Sequence, residues 1–215
     1  MCVRINDGVL QSMSVVIGIC GTNFCTFWAD GRRAVSDPET ATGYRVDGDD
    51  HYQKIFTLND RVLFGASGVF LMGEDLRDPV NTIADLSNAS VKIVKNAVVN
   101  YLKTKHDPEL IRNYLVGGKE RDGAFVIYEI TWDIVQRKAR VVERRLKQSQ
   151  GGYAISMSLP IGEKQLAQKA LSAAQTMVQQ ASNHEDLKHK MASVIYSISR
   201  FDDTVGPAAI SLTIT

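Results

Sequence analysis

The spacing of hydrophobic residues switches between two periods along this chain. Alternating apolar and polar positions, which are typical of half-buried β-strands, fill the first third and return in the middle. The predicted strands are 14–20, 24–30, 53–58, 61–66, 112–118, 123–131, 138–146 and 205–215, and residues 153–158 form either a short strand or the entry to a loop. Tight turns, which favour Gly, Asn and Asp, are predicted at 21–23, 59–60 and 121–123.

Helical spacing, with apolar residues three or four positions apart, occupies most of the remaining chain. It predicts helices over 89–105, 163–181 and 185–201. Residues 69–86 have the same spacing, with Pro79 either starting a helix or interrupting one. The polar stretch 36–51 is rich in Asp, Gly and Thr and is predicted to be a long surface loop.

This order of elements predicts an α+β fold. Strands come first and two helices follow, and then strands and two helices come again before a final strand. Two antiparallel sheets that each bury one face on the other and one face on helices fit this order, which describes a four-layer αββα sandwich. The 215-residue length fits a single domain, predicted to span 14–215, with residues 1–13 as an N-terminal extension or propeptide-like segment.

Composition and charge argue against several classes of function. The formal net charge is +1, so no electrostatic attraction to nucleic acid or to an anionic membrane is expected. No segment is as long and apolar as a transmembrane helix, and the polar N-terminal stretch predicts no signal peptide. Three cysteines, an odd number, form no closed disulfide framework and favour a reducing cytoplasm. Cysteine and histidine pairs at ligand spacing are missing, so we expect neither a metal site nor a cofactor.

Several short segments together resemble one known family. In the first third they are Ser14–Ile19, Asp30-Gly31-Arg32, Lys54-Ile55-Phe56 and Gly65-Ala66-Ser67-Gly68. Further along they are 114–118, 122–123, 126–128 and 202–206. Their order and spacing resemble those of proteasome β-type subunits and of the peptidase subunit of the related bacterial two-component heat-shock protease. The resemblance implies the N-terminal-nucleophile hydrolase fold and hydrolysis of a peptide or amide bond.

The resemblance also implies roles for individual residues. The family's nucleophile falls on Ser14, its acidic partner on Asp30 and its catalytic lysine on Lys54. An acidic residue of the family's late loop is matched by Asp202. The positions implied to bind substrate are Arg32, Ser67 and Gly68.

The chemistry of these side chains agrees with those roles. A serine hydroxyl is a weak nucleophile and needs an adjacent base, which in this family is the free α-amino group of the same residue. The ammonium of Lys54 would lower the pKa of that amine and stabilise developing negative charge, and Asp30 would neutralise and orient Lys54. The residues before Ser14 block this chemistry unless they are removed.

Two hypotheses concern Ser14. The first is a proteasome-like peptidase or amidohydrolase, in which Ser14 is exposed by removal of residues 1–13 or by use of Met13 as an alternative start. The second is a catalytically silent scaffold that is never processed, because the positions of the family's two supporting serines carry Met157 and Val205. In both cases the resemblance implies a homo-oligomer such as a ring, and an ATPase partner is left open.

A third hypothesis places the nucleophile at Cys2. Removal of Met1 before a small residue would leave Cys2 as an N-terminal thiol, and Met-Cys openings resemble those of conjugated bile-acid and penicillin-V acylases. The substrate would again be an amide.

Overall fold

The computed structural model describes residues 10–13, 15–37, 39, 44–46, 50–71, 74–104, 112–133, 135–146, 153–158, 164–202 and 204–215. The strands are β1 (Leu10–Met13), β2 (Val16–Cys20), β3 (Cys25–Asp30), β4 (Ala34–Ser36), β5 (Tyr44–Val46), β6 (Ile55–Asn59), β7 (Val62–Leu71), β8 (Arg112–Lys119), β9 (Phe125–Asp133), β10 (Lys138–Arg145), β11 (Ala154–Ser158) and β12 (Ala209–Ile214). The helices are α1 (Asp78–Asn81), α2 (Val91–Thr104), α3 (Lys164–Gln180) and α4 (His184–Ser199), with a 3₁₀ turn at Leu86–Asn88.

The strands of the described chain form two sheets in which every pairing is antiparallel. The larger sheet has the order β10-β9-β8-β7-β1-β4-β5, and β6 pairs with the first half of β7 while β1 pairs with its second half. The smaller sheet has the order β11-β2-β3-β12. The predicted α+β class is therefore confirmed.

The two sheets pack face to face through one apolar cluster. Phe27 and Val16 of the smaller sheet meet Leu63, Leu115 and Ile127 of the larger sheet there. A second cluster joins the larger sheet to α1 and α2, and a third joins the smaller sheet to α3 and α4. Alternate residues of a strand point to opposite faces, so a strand covered on both faces is buried along its whole length and is mostly apolar. Every residue of β2 and β3 is buried for this reason.

Two glycines make room for the Phe27 ring between the sheets. A Cβ atom added to Gly18 or to Gly117 would lie 2.9 Å from carbons of that ring, closer than carbon atoms pack. Gly18 is on β2 and Gly117 is on β8, so the ring is held between one strand of each sheet. The close approach of the sheets at this point therefore depends on residues that lack a side chain.

The β2–β3 hairpin closes as predicted from its turn residues. The Gly21 N–H donates to the Phe24 carbonyl oxygen at 2.9 Å, and Cys20 is the register partner of Cys25. Both cysteines are free, buried thiols. Burial in the apolar cluster raises the pKa of the Cys20 thiol to about 12.

Most predicted elements are confirmed with ends within two residues of the observed ones. The exceptions are β12, which begins at Ala209 rather than at residue 205, and β7, which ends at Leu71 rather than at residue 66. The helical interpretation is wrong for most of 69–86, although Pro79 lies in the first turn of α1, as expected if it starts a helix. Strand β7 continues to Leu71, and within 74–88 the helical residues are α1 and the 3₁₀ turn. Leu76 and Val80 pack into the same apolar cluster as α2, so their spacing reflects a short chain crossing that cluster rather than one helix.

Two further differences concern the predicted loop at 36–51 and the N-terminal residues. The described part of the predicted 36–51 loop contains β5, and β4 ends at its first residue. Residues 10–13 of the predicted extension form β1 inside the larger sheet.

No helix in the described ranges is long and apolar enough to cross a membrane.

Replacing Phe27 tests how much the contact between the sheets stabilises the fold. We expect Phe27→Ala to lower the free energy of unfolding by about 3–5 kcal/mol, since the ring is fully buried and glycines line its space. Chemical denaturation measures the change. Phe201→Ala is the matched control, because Phe201 is 77% exposed and its loss should be nearly neutral. Equal effects of the two substitutions would contradict this view of the core.

Candidate active site

The candidate site is built around a buried ion pair. Asp30 is the last residue of β3, and Lys54 immediately precedes β6. The Lys54 Nζ atom lies 2.8 Å from Asp30 Oδ1, and both side chains are 0% exposed. Two charges are rarely buried completely unless each has a partner, and here each is the partner of the other.

The Asp30 carboxylate also accepts three backbone hydrogen bonds. Its Oδ1 atom accepts from the Val15 N–H at 2.9 Å. Its Oδ2 atom accepts from the N–H groups of Arg32 at 3.1 Å and Gly206 at 2.9 Å. With Lys54, four donors converge on one carboxylate and hold it in a single orientation.

Burial sets the proton affinity of Lys54. Desolvation of the ammonium lowers the pKa of Lys54 below its ordinary value, and the charge of Asp30 and its hydrogen bond counter part of that effect. The Asp50 carboxylate raises the same pKa and the Arg32 guanidinium lowers it. The result is a cation with no solvent contact and a weakened hold on its proton.

The residues next to the ion pair hold it from two further directions. The Ala66 N–H of β7 donates to the Lys54 carbonyl oxygen at 3.0 Å, which fixes the start of β6 beside β7. Arg32, whose N–H donates to Asp30, has its guanidinium in a bidentate pair with Asp50: Nε–Oδ1 is 2.8 Å and Nη2–Oδ2 is 3.0 Å. Arg32 was predicted to bind substrate, and its guanidinium lies on Asp50 in this structure.

Ser67 and Gly68 lie on β7 at the point where that strand stops pairing with β6 and starts pairing with β1. Gly68 is opposite Met13 of β1, with a φ of 116°, a backbone conformation that favours glycine. Ser67 is fully buried. They are the two residues after Ala66, whose N–H donates to the Lys54 carbonyl oxygen, so they lie one and two residues from a backbone contact with Lys54.

Asp202 is connected to the ion pair through the loop that follows α4. Its Oδ1 atom accepts hydrogen bonds from the Thr204 N–H at 2.9 Å and from the Thr204 hydroxyl at 2.6 Å. The Val205 N–H donates to the Asp202 carbonyl oxygen at 3.0 Å. These bonds shape the turn that brings the Gly206 N–H to Asp30.

Four further positions were singled out in the sequence: two predicted nucleophiles and two places implied for supporting hydroxyls. Ser14 and Cys2, the two predicted nucleophiles, lie outside the described residues. Val205 is fully buried in the apolar cluster under α3 and α4, and Met157 packs against the same cluster. The places implied for two supporting hydroxyls thus belong to the hydrophobic core.

Sequence reasoning missed Arg112, which is 1% exposed at the start of β8. Its guanidinium donates to both carboxylate oxygens of Glu74 at 2.8 and 2.6 Å, to the Tyr101 hydroxyl at 3.2 Å and to the Val69 carbonyl at 3.3 Å. Arg112 therefore fastens the end of β7 that carries Gly68. Its partner Glu74 is 38 residues away, so no local pattern could have identified the pair.

Among the described residues, no group of three or more His, Cys, Asp or Glu side chains could hold a metal ion.

No protein-family model matches the chain, and no curated protein matches it in sequence. The atoms of the site therefore carry the functional inference.

The two members of the ion pair should contribute unequally to stability. Asp30→Ala leaves Lys54 uncompensated and removes the acceptor of three N–H groups, so we expect a loss of about 3–5 kcal/mol. Lys54→Met leaves a carboxylate that still accepts those three bonds, so a smaller loss of about 1–3 kcal/mol is expected. Chemical denaturation of both variants checks the order.

Exposed residues of the same types provide the controls for this comparison. Asp60→Ala and Lys188→Met remove partly or fully exposed charges and should each change stability by less than about 1 kcal/mol. A Lys54→Met protein that loses more stability than Asp30→Ala would show that the backbone donors do not hold the carboxylate as described.

Proposed function

We propose that this protein is a proteasome-like N-terminal-nucleophile peptidase or amide hydrolase, with Ser14 as its nucleophile after residues 1–13 are removed. One observation carries the proposal. The backbone N–H of Val15, the residue that follows Ser14, donates to the same oxygen of Asp30 that binds Lys54. A buried acid–lysine pair is thereby tied to the chain directly after the proposed nucleophile.

The packing of the elements supports the corresponding fold. Two antiparallel sheets share one apolar cluster, α2 packs on the larger sheet, and α3 and α4 pack on the smaller sheet. We assign this arrangement to the four-layer αββα sandwich of N-terminal-nucleophile hydrolases, with a single domain over 14–215.

The proposed reaction uses the α-amino group of Ser14 as base. That amine takes the hydroxyl proton while Oγ attacks the substrate carbonyl carbon, and it then gives the proton to the departing amine as the C–N bond breaks. Water hydrolyses the resulting ester and restores the hydroxyl. The Lys54 ammonium supplies positive charge for the anionic intermediate, and its like charge keeps the α-amine neutral at pH 7.

The position of β1 suggests how a peptide would bind. In the full chain β1 lies between β4 and β7, with Gln11 opposite Val35 and Met13 opposite Gly68. Removal of residues 1–13 would leave two strand edges one strand-width apart, each with free N–H and C=O groups. An extended peptide fits such a gap by adding a strand. The proposed substrate class is therefore an extended peptide lying along Gly68.

The silent scaffold remains the second candidate, and two observations favour it. Strand β1 pairs on both sides, so its removal would break two ladders of backbone bonds. Met157 and Val205 place apolar side chains where the family has supporting hydroxyls. In either case we propose a cytoplasmic homo-oligomer such as a ring, a location consistent with the free thiols of Cys20 and Cys25.

Intact-mass measurement of the protein made in its native cell separates these candidates. We expect the wild-type mass to begin at Ser14 and the Ser14→Ala protein to keep residues 1–13, because cleavage before Ser14 would need its own hydroxyl. Ser14→Thr keeps the hydroxyl and should be processed, and Ser12→Ala is the control on the neighbouring serine. Full-length wild type supports the scaffold, and a mass beginning at Cys2 supports the thiol hydrolase.

Peptide hydrolysis tests the role of the ion pair. The processed wild type should cleave a fluorogenic peptide, and Lys54→Met should lower kcat by about 100-fold or more, since the charge that favours the neutral amine and the anionic intermediate is lost. Lys188→Met should leave kcat unchanged. Full activity in a folded Lys54→Met protein would refute the proposed role of Lys54.

A further inference from the structure

A second ion pair lies beside the first with its charges in the opposite order. Residues 30–32 run next to residues 50–54, in opposite directions. At one end the Asp30 carboxylate binds the Lys54 ammonium, and at the other the Arg32 guanidinium binds the Asp50 carboxylate. Each segment thus carries one acid and one base, and only this alignment puts opposite charges together.

A backbone hydrogen bond joins the two segments between the two ion pairs. The Tyr52 N–H donates to the Gly31 carbonyl oxygen at 2.7 Å. A Cβ atom on Gly31 would lie 2.0 Å from the Asp50 carbonyl oxygen, so residue 31 must be glycine for the two segments to meet. Tyr52 makes a second contact, in which the Arg33 guanidinium carbon lies 5.3 Å from the centre of the Tyr52 ring.

The outer pair also covers Gly206. A Cβ atom on Gly206 would lie 3.0 Å from Arg32 Cβ and 3.3 Å from Asp50 Oδ1. The N–H groups of Arg32 and Gly206 are the two donors to Asp30 Oδ2. One of these donors belongs to Arg32 itself, and the other belongs to Gly206, against which Arg32 and Asp50 pack closely.

We infer that Asp50 is a positioning residue of the candidate active site: it holds Arg32 so that the N–H groups of Arg32 and Gly206 keep the Asp30 carboxylate on Lys54. Its importance for catalysis rests on the proposed function, whereas its effect on Lys54 does not. Among the described residues, Asp50 pairs with Arg32, and no hydrogen bond or ion pair joins it to the Lys54 ammonium.

The expected effect on global stability is small. Arg32 and Asp50 are 22% and 28% exposed, and ion pairs at this exposure stabilise proteins by about 0–1 kcal/mol. The bidentate geometry, in contrast, fixes the direction of the guanidinium. Loss of Asp50 should therefore change the site much more than it changes the melting temperature.

The charges around Lys54 give this change a direction. The charged groups acting on Lys54 are Asp30 and Asp50, which raise its pKa, and Arg32, which lowers it. Neutralising Asp50 removes a negative charge that raises the pKa of Lys54, and it loosens the Asp30 carboxylate. Both consequences disfavour the Lys54 ammonium.

Titration of Lys54 tests the inference without any assay of activity. The full chain is labelled with ¹³C-lysine, the Lys54 signal is assigned by its absence in Lys54→Met, and its shift is followed by NMR against pH. We expect Asp50→Asn to lower the midpoint by about half a pH unit or more. Asp50→Glu, which keeps the charge, should restore most of the shift. An unchanged midpoint in Asp50→Asn would overturn the inference.

A matched control is available in the exposed bidentate pair of Asp75 with Arg77. Asp75→Asn removes the same charge from the same kind of pair and should leave the Lys54 midpoint unchanged. An equal shift in both variants would mean that the effect is general charge removal, and the positioning role of Asp50 would be rejected.

Kinetics separates this inference from the proposed function. If the processed wild type cleaves peptides, Asp50→Asn should lower kcat about 10-fold with KM nearly unchanged. A change confined to KM would instead make Asp50 a substrate-binding residue. If the wild type cleaves no peptide, the proposed function fails, and the NMR titration still decides whether Asp50 positions the ion pair.

Discussion

The buried contact between Asp30 and Lys54 is the interaction on which this end of the molecule depends. Removing two charges from water costs several kcal/mol, and their attraction repays that cost only when other hydrogen bonds complete the geometry. Three backbone N–H groups do so at Asp30, and they come from the chain before β2, the turn after β3 and the loop before β12. The pair therefore joins parts of the chain that are far apart in sequence.

This arrangement also explains why the site has so little freedom. Asp30 cannot rotate without breaking several bonds, and Lys54 is fixed both by its ammonium and by its carbonyl oxygen, which accepts from β7. A cation held in this way needs no reorganisation when negative charge develops beside it, which is how preorganised sites stabilise transition states. The same rigidity would also stabilise a silent scaffold. The choice between hydrolase and scaffold therefore depends on whether residues 1–13 are removed.

Sequence patterns predicted the parts of the fold that are determined by residues close together in the chain. The apolar run of β2, the turn at Gly21 and the amphipathic stripe of α2 each correspond to an observed element. The pattern failed at 69–86, because apolar residues in irregular chain that crosses a core can fall at helical spacing without forming a helix. Strand β1 was missed because it pairs with β4 and β7, and neither of these strands is next to it in the sequence.

The same distinction applies to the candidate site. Asp30 and Lys54 were identified through a family resemblance, and the structure places their side chains in contact. Asp50 could not be identified, because it lies in a polar stretch predicted only as a surface loop and its partner Arg32 is 18 residues away. Arg112 and Glu74 were invisible for the same reason. Tertiary contacts of this kind become apparent only when the strands are in place.

The most direct measurement of whether an N-terminal nucleophile operates here is the site of covalent modification by an electrophilic peptide. Protein from its native cell would be treated with an extended peptide bearing a β-lactone, digested, and mapped by mass spectrometry. We expect one acyl adduct on Ser14, in chains that begin at Ser14, and no adduct in the Lys54→Met variant. An adduct at another residue, or none on a folded and processed chain, would contradict the proposed chemistry.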